Sequence, residues 1–97
     1  MSWEDGFRRQ VRNLGNGART HLTVIENHGG INLRYRPPQG KSVTKSLPFK
    51  WNELHADNAY IRIRNIYKLM LEGIEFALAV EIADDKAPML VEDRKLL

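Results

Sequence analysis

Asn32, Arg34 and Arg36 stand at alternate positions in the stretch Ile31-Asn32-Leu33-Arg34-Tyr35-Arg36. An extended chain sends alternate side chains to opposite faces, so these three donors would project together. Arginine offers a planar fork for a guanine edge or a phosphate, and asparagine pairs with adenine. Lys41, Thr44 and Lys45 follow in the next segment, and Thr23 lies in the preceding one. Arg8, Arg9, Arg12 and Arg19 form a second basic group near the N-terminus. Together these eleven residues are the candidate contacts to a polyanion, double-stranded DNA first. A wet sheet face also carries Arg and Lys merely for solubility. Three successive outward donors followed by two lysines weigh against that plain reading.

Other chemistry is poorly represented. With no cysteine among 97 residues, disulfides, zinc-thiolate sites, iron–sulfur clusters and thiol nucleophiles are excluded. His21, His28 and His55 are scattered and lack metal-ligand spacing, so no metal and no cofactor is expected. Nucleophile-elbow, zinc-protease, Walker and dinucleotide motifs are all missing, and no enzymatic activity is expected. Asp84-Asp85 reads as a polar loop, because nothing nearby desolvates a dyad. Asn27-His28-Gly29-Gly30 leads into no helix, so it reads as a hairpin turn and not as a phosphate cradle. The three tyrosines read as core-edge residues.

The net charge of +3 is unevenly spread. Residues 1–50 carry nine Lys/Arg against three Asp/Glu, hence +6, and residues 51–97 carry six against nine, hence −3. The first half is therefore the one suited to a polyanion. No apolar run approaches the ~18 residues of a membrane span, and the opening MSWEDGFRRQ has no signal-peptide core. No membrane association is expected, and a reduced intracellular setting is the default.

These candidates need elements to position them. Apolar residues make up 42 % of the chain, enough for one core. Residues 1–19 read as a flexible basic arm. Trp3, Phe7, Val11 and Leu14 could form a helical turn or two, but Gly15-Asn16-Gly17 breaks the pattern. Residues 20–49 read as a meander of three antiparallel strands: 21–25, 31–36 and 41–47. The first turn is Asn27 to Gly30, the second is Pro37-Pro38-Gln39-Gly40, and Pro48 closes the last strand. In the third strand Val43, Lys45 and Leu47 share one face, with Ser42, Thr44 and Ser46 on the other. Burying Leu47 would drag Lys45 inward, so a bulge is expected near Lys45. Asp57 or Asn58 is expected to cap a helix whose stripe is Ala59, Ile63, Ile66, Tyr67 and Met70, ending near Gly73. A shorter helix is expected over 74–83. The predicted class is α+β: a three-stranded antiparallel sheet packed on one C-terminal helix, with a flexible N-terminal arm and a short second helix. Its segments are the arm (1–19), the sheet and helix (20–74), and a short helix and tail (75–97).

The order of these features resembles one family. A strand, the His28-Gly29-Gly30 turn, INLRYRPPQGK, a Ser-Leu-Pro strand end and a helix closing at Glu72-Gly73 are similar to the N-terminal arm-type DNA-binding domain of phage and mobile-element integrases. These belong to the tyrosine recombinases. The resemblance covers residues 20–74, and 74–80 resemble the lead toward a core-binding domain. It implies a sheet inserted in the DNA major groove, with the N-terminal tail and loops on the backbone. Arg34 and Arg36 match the outward basic positions of the central strand, and Lys41 and Lys45 those of the turn and third strand. It also implies DNA integration as the process, the rest of an integrase and its accessory proteins as partners, and a cytoplasmic, nucleoid-associated location in a bacterial or phage-infected cell. The recombinase's catalytic Arg, His and Tyr have no counterpart in the sequence. Pro37-Pro38 and the long 50–56 connection depart from the family pattern. Two rivals stand beside it: a protein–protein adaptor using a sheet edge or the 74–83 helix, and a small RNA-binding domain.

Overall fold

The structure, a computed structural model, describes residues 2–84. Its elements are α1 (Trp3–Arg12), β1 (Leu22–Asn27), β2 (Gly30–Tyr35), β3 (Val43–Lys50) and α2 (Glu53–Leu71), followed by α3 over residues 76–84. The strands form one antiparallel sheet in the order β1-β2-β3. The α+β class is as expected, with the C-terminal helix and the short second helix both present, and α1 is a further helix where an arm was expected.

β1 and β2 are joined by His28 and Gly29 alone, because Asn27 pairs with Gly30. Both turn residues have positive φ, 53° and 76°, the requirement of a type I′ hairpin. The Glu26 carboxylate steadies the turn by accepting from the Gly29 N–H at 2.9 Å. Leu22, Val24, Ile31 and Leu33 then fall on one face and are buried.

β3 continues through Pro48, where the sequence suggests a stop. Gly30 pairs with Lys50 but Asn32 pairs with Ser46, so two steps on β2 face four on β3. The surplus forms a bulge around Pro48, which has no N–H to lose from the ladder. It lies three residues beyond the site expected near Lys45, and it leaves Leu47 buried.

α2 begins at Glu53, a full turn before the expected caps Asp57 and Asn58. Asn52 does the capping: its side-chain oxygen accepts from the His55 N–H at 2.9 Å. Ala56, Ala59, Ile63 and Ile66 make the buried stripe. Gly73 ends the helical turn at φ +99°, a conformation few other residues adopt cheaply. Phe76, Ala79, Val80 and Ala83 of α3 are buried in the same core, with Phe76 against Tyr35 at 5.4 Å between ring centres. Arg62 of α2 binds Asp84 at 2.8 Å, so Asp84 ends α3 in an ion pair instead of lying in a loop. Asp85 and the remainder of the expected 75–97 segment lie outside the described residues.

The flexible basic arm expected over residues 1–19 is instead largely a docked helix. Ser2 caps α1, Glu4 and Asp5 occupy its first turn, and Arg9 and Arg12 its last, which suits the helix dipole. Phe7 and Val11, one turn apart, are 2 % and 1 % exposed. Trp3 and Phe7 meet Trp51 at 5.3 and 5.9 Å between ring centres. The Trp51 indole N–H donates to Glu4 at 3.4 Å, and the Arg8 guanidinium lies 5.0 Å above the Trp51 ring. This cluster fastens α1 to the connection between β3 and α2. A Phe7→Ala variant is therefore expected to lose about 3–5 kcal/mol, as buried aromatic truncations do. Urea unfolding measures this, and an unchanged midpoint would show that α1 contributes nothing to the core.

Candidate nucleic-acid interface

The sheet has two unlike faces because its inner one is filled. Ile31 and Leu33 are completely buried beneath the helices, so Asn32 and Arg34 between them must face the other way. Register places Thr23, Arg34 and Thr44 in one row across the three strands. Ile25, Asn32 and Ser46 form the next row. Beyond them, Arg36 donates its backbone N–H to the His21 carbonyl at 2.9 Å and its Nε to the Ser42 hydroxyl at 3.3 Å. Apart from Ile25, the outer face is thus a grid of hydroxyls, amide and guanidinium, and its strand residues include no aromatic and no acidic member. Edge strands of a three-stranded sheet lie about 10 Å apart, on the scale of the ~12 Å major groove.

One end of this face opens into a groove of about 500 Å³. Arg12 at the end of α1 and Asn13 just after it, residues 17–21 of the loop, Leu22 and Thr23 of β1, Arg34 of β2 and Arg36 just beyond that strand line it. Four arginines therefore surround a space to which no carboxylate of the described residues contributes. Among the described residues, none of the four has an ion-pair partner. The resulting field is positive and suits an anion.

The loop carrying Arg19 is held locally. The buried Thr20 hydroxyl accepts from the Leu22 N–H at 3.2 Å, closing a tight turn just before β1. His21 takes φ 62°, an uncommon conformation for a side-chain-bearing residue. Gly15 lets the chain pass close: a Cβ there would lie 3.3 Å from the Thr20 methyl and 3.4 Å from the Tyr67 hydroxyl.

The structure unites seven of the eleven sequence candidates: Thr23, Asn32, Arg34, Arg36 and Thr44 on the outer face, with Arg12 and Arg19 at its groove. The other four stand apart. Lys45 pairs with Leu33 and so shares the inner face, half-buried at the sheet edge. Arg8 is stacked on Trp51, and Arg9 lines a separate cleft with Trp3, Glu53 and Asp57. Lys41 is exposed in the connection before β3. Ser42, Ser46 and His21 belong to the surface but were not candidates. The two serines were legible as alternating with Thr44, whereas His21 enters through its backbone and leaves no pattern in the sequence. Among the described residues, no three His, Asp or Glu gather closely enough to hold a metal ion.

Compared with known proteins, the chain matches no family model, no curated sequence and no solved structure.

The two faces should separate stability from binding. Leu33→Ala is expected to cost ~2–5 kcal/mol by emptying a packed position. Arg34→Ala is expected to stay within ~0.5 kcal/mol of the parent, as surface changes do. Thermal or urea unfolding of the pair checks this, and comparable losses in both would contradict the assignment of faces.

Proposed function

We propose that this chain is a non-catalytic, sequence-specific module that binds double-stranded DNA, with the outer sheet face in the major groove. The observation that carries the reading is the groove where Arg12, Arg19, Arg34 and Arg36 converge with no carboxylate among the described lining residues. A cation cluster left unneutralised raises the local concentration of any polyanion and gives up counterions when one binds. On this reading Asn32 and Arg34 face base edges, and Arg12, Arg19 and Arg36 hold backbone phosphates at one side. The resemblance of residues 20–74 to arm-type domains supports the finer proposal: anchoring of an integrase at accessory sites during DNA integration. The rest of a tyrosine recombinase and its accessory proteins would be the partners, in a cytoplasmic, nucleoid-associated setting. No described helix is long and apolar enough to cross a membrane.

RNA and single-stranded DNA fit this surface less well, because sheets that bind them stack bases on exposed aromatics. None stands on the outer grid. The adaptor reading draws on exposed Leu71 and Leu78 near the 74–83 helix, yet it leaves the groove without a use.

The test is a titration against random-sequence duplex DNA at several salt concentrations. Engaging four to five phosphates predicts a log–log slope of about −4, and removing either Arg12 or Arg19 should flatten it by about one unit. An affinity indifferent to salt, or slopes unchanged in both variants, would contradict the reading.

A further inference from the structure

Arg34 and Arg36 are each held by a hydroxyl of the neighbouring chain segment. Arg34 Nε donates to Thr44 Oγ1 at 3.5 Å, the long end of hydrogen bonding, and Arg36 Nε donates to Ser42 Oγ at 3.3 Å. The same kind of pairing recurs at two successive outward positions, once within the sheet and once just past the ends of β2 and β3. A hydroxyl partner has a particular consequence. It orients a guanidinium without cancelling its charge, which a carboxylate in the same place would do.

The bonded nitrogen also matters. A guanidinium can offer an acceptor pair either its side, through Nε and one Nη, or its end, through both Nη groups. With Nε engaged by Thr44, Arg34 keeps only the end. Two parallel N–H donors then need two acceptors side by side. In the major groove guanine alone supplies them on one base, through N7 and O6. Adenine places a donor beside its N7, cytosine offers a donor, and thymine has a single acceptor beside a methyl group. Phosphate also presents two oxygens, but phosphates lie along the walls of the groove. Arg34 occupies the middle strand, flanked by Thr23 and Thr44, away from both edges of the face. Arg36 has the same tether but lies at the end of the face beside Arg12 and Arg19, where a wall phosphate fits.

We infer that Arg34 reads a guanine, and that Thr44 is the positioning residue that selects this base by holding the guanidinium end-on. The inference rests on the duplex-DNA reading above and deepens it. Thr44 need not touch DNA to act, and its effect is confined to one base pair. The tether also removes some of the side chain's freedom before binding, so less is lost on contact.

The experiment is selection from a pool of random-sequence duplex DNA, followed by sequencing of the bound fraction. The parent chain is compared with Arg34→Lys, Thr44→Val and Thr44→Ser, each checked for folding by circular dichroism. Valine keeps the shape of threonine and removes the hydroxyl, and serine keeps the hydroxyl. The parent should select a motif with one dominant guanine. Arg34→Lys and Thr44→Val should both relax that same position, the latter about fivefold or more on the scale of one bidentate contact. Thr44→Ser should retain it. If valine disturbs folding at this exposed site, Thr44→Ala removes the same hydroxyl and serves in its place.

A motif unchanged by loss of the hydroxyl, or changed at a different position from that of Arg34→Lys, overturns the inference. So does a parent motif without a guanine. Those outcomes leave duplex binding itself intact. Failure of the parent to retain any of the pool would instead overturn the underlying functional reading.

Discussion

The register set by the two-residue turn at His28 and Gly29 governs both faces of the molecule. A side-chain period of two means that slipping β1 against β2 by one residue would exchange every inward group for an outward one. Leu33 would then meet solvent and Arg34 would meet the helices. The pairing of Asn27 with Gly30 and the positive φ at both turn residues prevent that slip. What the inner face gains in burial the outer face gains in definition, because the residues between Ile31, Leu33 and Tyr35 have nowhere else to point.

The second constraint is distant in sequence. Trp51 follows β3, yet its ring packs on Trp3 and Phe7 and beneath Arg8. By fastening α1 to the start of α2, this cluster delivers Arg12 and the loop bearing Arg19 to one end of the outer face. Arg8 stabilises the dock and is thereby withdrawn from the interface, while Arg12 one turn later remains at the groove. The aromatic cluster thus sorts the N-terminal arginines into structural and surface-facing ones. A charge count cannot make that distinction.

Much of the sheet was legible in the sequence because its information is local. The alternation from Ile31 to Arg36, the turn glycines and the Ala59–Ile63–Ile66 stripe each reflect a backbone period read over a few residues. The shared face of Ser42, Thr44 and Ser46 was equally plain, and the register sets Thr44 in one row with Arg34 and Thr23. The parts that were misread depend on partners far along the chain. Phe7 and Val11 show helical spacing, but only Trp51 and the core give that short helix a reason to dock. Pro48 looks like a strand end until the bulge lets β3 run past it. Lys45 stands on the inner face beside Leu33, the side that its alternation with Leu47 already indicated. Asn52 was overlooked as a cap because Asp57 and Asn58 offer the same chemistry one turn later.

The central claim is that the outer sheet face and its arginine groove, and not a helix surface, meet DNA. Backbone amide shift mapping with a short random-sequence duplex tests it most directly, since every described residue except proline reports. The account predicts perturbations centred on Thr23, Asn32, Arg34, Arg36 and Thr44, extending to Arg12 and Arg19 across the groove. Perturbations confined to residues 74–83, with the sheet unmoved, would contradict it.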